Sequence, residues 1–424
     1  MKTGYKAFKK GMICKGKEYK EHTTYEEDGN DIFESGAMDY FEDPFDMLSY
    51  YPLVDNRGDF SEFAQVESLG DDLIRGHQSV CNKLYIREKL SFRSFIQACV
   101  DFILEKTRID QRTVTNADIN TDDGCVKISS SEDSAKIVSS GNSAKIVSSG
   151  YCVQIGSFGD FAQISSSEES AQIGSSGRYA YIISSEHFAQ IGSSGVSANI
   201  ISSGDLTKIV SSGISANIDS SGYSAQIGSS GDSAKICSSK DSAQIGSSGY
   251  SVRICSSGNH TQISSSGDYA QIGSAGDSAK IGSSGNSATI GSSGDSATIS
   301  SSGDSVKISS SGYSVKIGSF GDYAQIGSSG NYAQINSSGD FAQISSSGEV
   351  AKISSDGKST GVSATGTNSM AKAKIGSWIT LAEWVRDEEI GNYIPKCVKT
   401  EYVDGAKIKE DTFYKLIDGE FKGI

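Results

Sequence analysis

Proline is almost missing from this chain, with 3 residues in 424, and the 48 glycines follow no three-residue period. Collagen-like and proline-rich linker architectures are therefore excluded. No apolar run approaches the length that a bilayer span requires, and few helix-length segments are apolar enough to bury, so a membrane helix and a mainly helical fold are both excluded. Basic residues are also short. There are 38 Lys and Arg against 52 Asp and Glu, a net charge of −14. A surface of that balance argues against nucleic acid as the main partner. The eight cysteines are scattered without a CxxC pair, which leaves a zinc ribbon unsupported and fits a reducing compartment better than a disulfide framework. Met1 to Phe8 has no apolar core of signal-peptide length, so a cytoplasmic location is expected, with a virion or release by lysis as other routes.

What the chain does contain is a repeat. From Ile119 to Ile353 an isoleucine recurs every ninth residue without insertion or deletion, and Val362 continues the series. One unit reads Ser278-Ala279-Lys280-Ile281-Gly282-Ser283-Ser284-Gly285-Asn286. The residue two before Ile is Ala, Val or Thr, and the one between them is mostly Lys, Gln, Asn or Thr. Small-apolar, polar, Ile is the period-two pattern of a half-buried strand. The serine two after Ile has the same parity. Its hydroxyl is expected to bond to the backbone of the turn. Ser-Gly-Asp or Ser-Gly-Asn then supplies a corner, the Gly expected there for its freedom at positive φ.

Nine residues suffice for a strand of about five and a corner of about four, too little to bury an isoleucine alone. Stacked units bury it by placing each Ile over another, which makes a β-solenoid. The number of units per coil is read from the exceptions. Glu132, Glu168, Glu186 and Lys240 replace the Gly four after Ile, and their separations are all multiples of eighteen. Cys237 and Cys255, and Ile183 and Ile201, are eighteen apart too. Eighteen residues per coil, a flattened two-sheet roll with two unlike corners, is preferred over a triangular coil of twenty-seven, and gives about thirteen coils. Gln244, beside Ile245, is expected to face water. Phe161, Tyr179, Phe188, Tyr269, Tyr323, Tyr332 and Phe341, three before Ile, read as local staples at the strand edge rather than as a sugar-stacking strip.

The two ends differ. Residues 1–116 read as a small α+β domain, with strands at Tyr5–Phe8, Glu62–Glu67 and Lys83–Arg87. A short helix is expected after Asp43-Pro44, and a second capped by Ser91, with Phe92, Phe95, Ile96, Cys99, Val100, Ile103 and Leu104 on one face. Residues 117–365 are the solenoid, and 366–424 a β-rich C-terminal cap holding both tryptophans, Trp378 and Trp384. Asp404-Gly405 and Asp418-Gly419 mark turns within it.

Gly4-Tyr5-Lys6-Ala7-Phe8, Cys14 to Tyr19, and Asp43 to Pro52 resemble an uncharacterised N-terminal domain of proteins from phages and gut anaerobes, where it precedes short polar repeats. The tail from Trp378 to Leu416 is similar to tails of the same proteins. Many of those relatives carry a Phe-His-x-Cys-like stretch before the Asp-Pro, where this chain has Met38-Asp39-Tyr40-Phe41. The resemblance implies a prokaryotic or phage origin and names no activity.

No HExxH, P-loop or strand-linked GxGxxG occurs, and no repeat serine has a His/Asp partner in sequence. His187 and His260 read as ordinary turn residues. The calcium nonapeptide shares the period but not the paired glycines or the constant Asp, so calcium is not expected to build the roll. No catalytic, cofactor-binding or metal residue is assigned and no cofactor is expected. The leading expectation is a non-enzymatic structural or adhesive protein, its solenoid serving as a spacer that holds the N-terminal domain away from an attachment point, or as a flat surface for a glycan or protein partner. The alternative is an activity in the N-terminal domain, for which His22, Glu62 and His77 are the ionisable candidates near expected strands.

Overall fold

The computed structural model describes residues 2–26, 38–54, 60–70, 72–75, 77–106, 119–122, 124–389 and 391–424. The expected boundary between residues 116 and 117 lies outside them. Residues 127–381 form a β-solenoid of about fourteen turns with about 18 residues per turn. The chain divides into two compact units, Met1–Val252 and Arg253–Ile424.

In the first unit, the small α+β domain opens with β1 (Lys2–Phe8), β2 (Ile13–Cys14), β3 (Lys17–Glu18), β4 (Thr23–Glu26) and β5 (Met38–Tyr40). Helix α1 (Pro44–Tyr50) follows, then β6 (Glu62–Ser68), β7 (Asp72–Arg75), β8 (Gln78–Cys81), β9 (Lys83–Leu90) and helix α2 (Phe92–Lys106). The sheets are ordered β1-β6-β9-β4 and β5-β8-β7. Both helix starts follow the expected chemistry. Asp43 accepts from the Phe45 N–H at 2.8 Å with Pro44 in the first position, and the Ser91 hydroxyl accepts from the Ser94 N–H at 3.1 Å.

The solenoid strands of this unit are four residues long, such as Lys136–Ser139, one shorter than expected. The register is eighteen in both sheets. Ile155 pairs with Ile137 and Ile173, while Ile164 pairs with Ile146 and Ile182, all parallel. Cys237 is paired with Asp219. Ile236 and Ile245 are fully buried. The second unit keeps the same register: Ile299 pairs with Ile281 and Ile317, and Cys255 with Gly273. Its last strands change direction. Trp378–Arg386 continues parallel to Gly361–Ala364, and Tyr393–Tyr402 then pairs antiparallel on it. Tyr414–Ile417 and Glu420–Gly423 form a hairpin through Asp418-Gly419, both at positive φ. Pro395 and two lysines, Lys396 and Lys399, stand on the strand Tyr393–Tyr402, the residue types that blunt an edge.

The corners correct two expectations. The described corner glycines do not adopt positive φ. That conformation falls three before Ile, on Ser, Phe, Tyr, Cys, Leu, His or Val, from 54° at Cys152 to 63° at Ser170. It is held by a coil-to-coil bond, as where the Ser134 N–H donates to the Tyr151 carbonyl at 2.7 Å. What glycine supplies there instead is close approach. A Cβ on Gly213 would sit 2.0 Å from the carbonyl oxygen of Gly195 in the coil before it. Gly204 and Gly222, in the other corner column, are equally tight, so the two corners are alike in this respect. Nothing in the structure explains why all four non-glycine exceptions fall in one column.

The second correction concerns serine. Ser139, Ser148 and Ser157 are buried, but their hydroxyls have no hydrogen-bond partner among the described residues. Ser130, in the first coil, keeps the expected bond and accepts from the Glu132 N–H at 3.3 Å, whereas in the coils after it corner N–H groups donate to the coil before, as Phe158 does to the Ser139 carbonyl at 2.8 Å. The corner polar work is done by Asp and Asn five after Ile. Asn142 Oδ1 accepts from the Asp160 N–H at 2.9 Å, and Asp160 in turn from the Arg178 N–H at 2.8 Å. His187 takes the same role, its Nδ1 accepting from the Asp205 N–H at 3.0 Å. The aromatic staples stack rung on rung: Phe161 on Tyr179 at 5.1 Å, and, in the second unit, Tyr323 on Phe341 at 5.1 Å.

A substitution pair tests this division of labour. Gly213→Ala should lower stability by about 1–3 kcal/mol in urea melts, because the corner must open to admit a methyl group. Ser215→Gly, at φ 57°, should change it by less than about 1 kcal/mol. The reverse order would restore glycine to its expected conformational role.

Candidate functional site

The N-terminal domain is seated on one sheet of the solenoid within the first unit. Helix α2 packs across the strands Gln172–Ser175, Gln190–Ser193, Lys208–Ser211 and Gln226–Ser229, all of one sheet. The reason lies one residue after Ile. In this sheet the position is Gly156, Gly174, Gly192, Val210, Gly228 and Gly246, all buried. In the opposite sheet it is Val147, Ser165, Ile183, Ile201, Asp219 and Cys237, none of them buried. A Cβ on Gly192 would meet Ile103, one on Gly228 would meet Ile96, and one on Gly246 would meet Phe92 and Phe60. Three rungs span about 14 Å, and the eleven residue steps from Phe92 to Ile103 about 16 Å of helix, so α2 lies along the stacking direction. Val210 joins Phe45, Leu53, Phe95, Ile96 and Val100 in one hydrophobic core. The expected apolar face of α2 is right, but its partner is the solenoid as well as its own sheet.

Docking brings α1 beside the same sheet and encloses a groove of about 1090 Å³. Its floor is the column of residues one before Ile: Lys136, Gln154, Gln172, Gln190, Lys208 and Gln226. The amides are chained, Gln154 Nε2 donating to Gln172 Oε1 at 3.2 Å and Gln172 Nε2 to Gln190 Oε1 at 3.5 Å. Lys208 donates to the Phe45 carbonyl and the Ser49 hydroxyl, both at 2.8 Å, and Gln226 Nε2 to the Leu48 carbonyl at 2.9 Å. These bonds satisfy carbonyls of α1 and pin it to the sheet. Burial lowers the Lys208 pKa, against the opposing pull of Asp46 and Asp43. One wall is α1 with Tyr50. The other is the positive-φ column with Phe188 and Leu206. Gln244, on the same sheet, is half-buried with an enclosed amide oxygen, so it does not simply face water as expected.

A buried polar cluster lies inside the N-terminal domain. Lys6 and Asp39 are 1% and 2% exposed and pair at 3.0 Å. Lys15 Nζ is 3.4 Å from Asp39, while the Tyr51 hydroxyl and Gln78 Nε2 reach its other oxygen. The Cys14 thiol stands 3.4 Å from the Tyr51 hydroxyl. Burial pushes the Asp39 carboxyl upward, but Lys6, Lys15 and the hydrogen bonds outweigh it and hold the group at about 2. Burial would lower the Lys6 pKa, yet Asp39 and its neighbours keep it raised. Both groups are held fully charged, which suits a structural pin.

The three sequence candidates are not brought together. His22 is exposed beside Glu21 at positive φ. Glu62 is an anchor, accepting from the Met12 N–H at 2.6 Å and from Lys89 at 2.8 Å. Burial raises its pKa, but these bonds leave it lowered. His77 alone reaches the groove, its Nδ1 2.9 Å from Asp46 Oδ2. The Gln column and the small-residue stripe were missed as a site. Their signal was an eighteen-residue alternation at the positions flanking Ile. Among the described residues no group of three His, Cys, Asp or Glu is placed to hold a metal ion, and no helix is long and apolar enough to cross a membrane.

Residues 2–98 match the family described as Domain of unknown function (DUF7666). The match takes in β1 to β9 and the first half of α2, and a repeat region follows it. No curated protein and no solved structure matches the chain.

Proposed function

We propose that this is a non-enzymatic structural repeat protein that binds a repetitive partner, a glycan or another protein, through its solenoid surfaces. The observation that supports this reading most is the uniformity of the array. Each coil places similar residue types at the same height, without an inserted loop, while the N-terminal domain covers part of one sheet and leaves the other with Lys145, Gln163, Asn199, Asn217 and Lys235 outward. Weak contacts repeated on successive rungs add by avidity, whereas an isolated pocket has no use for the repetition. The association with phages rests on the resemblance of the two ends alone.

An activity in the N-terminal domain is the second reading, and the His77–Asp46 pair at the groove favours it. The two separate in one experiment on the full chain, since α2 of an isolated domain would expose the face that Val210 and the glycines cover. Glycan and protein arrays should give saturable binding, and a thermal-shift panel of nucleotides and cofactors should stay flat. A reproducible shift that His77→Ala or Glu62→Gln abolishes would favour the enzyme.

A further inference from the structure

We propose that the groove between α1 and the docked sheet binds an extended, uncharged polysaccharide whose chain runs along the solenoid axis. The inference rests on the binding role proposed above and assigns it a place and a ligand class. The floor repeats. From Lys136 to Gln226 one side chain rises from each of six successive coils, about 24 Å at the strand spacing. Three of its consecutive members, Gln154, Gln172 and Gln190, are primary amides. Chained to one another, each still has donor and acceptor capacity left over. An amide row of this kind suits a partner that presents hydroxyls, themselves both donors and acceptors, at a regular interval.

The period selects the polymer. A pyranose unit in an extended β-linked chain advances by close to one rung, so successive sugars meet successive glutamines. An extended peptide advances about 3.4 Å per residue and falls out of step with rungs of about 4.8 Å. Peptide addition to a sheet also needs a free strand edge, and the groove floor is a sheet face whose backbone is bonded from coil to coil. The walls complete the site with apolar area for the ring faces of sugars. Tyr50 is 56% exposed on one side, and Phe188 is 52% and Leu206 47% exposed on the other. Charge argues against an anionic polymer. The Lys208 ammonium is engaged by α1, Asp46 lines the wall, and the chain carries −14 overall.

The experiment uses the full chain and calorimetric titration with β-1,4-glucose, β-1,4-N-acetylglucosamine and β-1,4-mannose hexasaccharides, their disaccharides, and a sulfated hexasaccharide. At least one neutral hexamer should bind saturably and more tightly than its disaccharide. The Gln172→Ala/Gln190→Ala pair should weaken it about tenfold or more, with an unchanged melting curve. Tyr50→Ala, on α1 and outside the solenoid, should also weaken it, and Gln163→Ala on the opposite sheet should not. The proposal fails if no neutral hexamer binds, if the sulfated one binds best, or if neither the glutamine pair nor Tyr50 matters. If the full chain then still binds an array target and Lys235→Ala or Gln163→Ala weakens it, the groove assignment falls and the broader binding role stands. If it binds nothing, both fall.

Discussion

Ile245→Asp should unfold the coils around it near the end of the first unit, with a loss of at least about 4 kcal/mol in chemical melts. Ile245 is fully buried and pairs with Ile227 in the coil before it. An aspartate there loses the transfer free energy of the side chain and buries an unpaired carboxylate between two sheets lined by Ile, Ala, Val, Ser and Thr, with no cation among them. The damage should spread, because in a solenoid each coil is held by its neighbours. Gly246, the next residue, lies under Phe92 and Phe60, so the start of α2 should loosen too. Hydrogen exchange should therefore report faster exchange in both the neighbouring coils and α2. Lys235→Ala, one coil face away and exposed, is the control and should shift the melt by no more than about 0.5 kcal/mol. Equal effects from the two would mean that the inward face has been misassigned.

Asp39→Asn should be nearly as severe, at about 3–5 kcal/mol, because it leaves the Lys6 ammonium buried without its counter-charge. The double change Lys6→Met/Asp39→Leu should recover most of that loss, since it removes both charges and keeps the volume apolar. The pH dependence follows from the direction of each shift. Asp39 titrates at about 2 in the folded chain against an ordinary 3.8. Its contribution, about 2 kcal/mol, is present above the unfolded value and should be lost as pH falls from about 4 to 2. Lys6 is raised above its ordinary 10.5, so its contribution is complete below that value and should be lost only as alkali titrates the folded group. An acid-unfolding curve that Asp39→Asn leaves unchanged between pH 4 and 2 would remove the pin.

The right coil length was reached partly for the wrong reason. The multiples of eighteen among Glu132, Glu168, Glu186 and Lys240 do reflect one corner column of a two-sided coil. The supposed difference between the corners does not exist at the glycines, since Gly204 and Gly213 are pressed against carbonyls in the same way. A better signal was the residue after Ile. From Gly156 to Gly246, Gly and Val there alternate with Ser, Ile, Asp and Cys from one unit to the next, where one sheet faces a helix and the other does not.

The sequence by itself determined what is periodic. A side chain of one type at one height in every unit can be buried only by its copies, so the Ile series dictates the solenoid, its inward face and its register. The capped helices were legible for a similar reason, since Asp43-Pro44 and Ser91 act on groups within a few residues of themselves. Only the tertiary structure decided where α2 goes, which backbone position carries positive φ, and that Lys6 and Asp39, or Tyr50 and Gln172, belong to common sites. Those facts depend on contacts between residues tens to more than a hundred positions apart, or on atoms one coil away. No local pattern encodes them, because the free energy that selects them is gained only when the coils are already stacked.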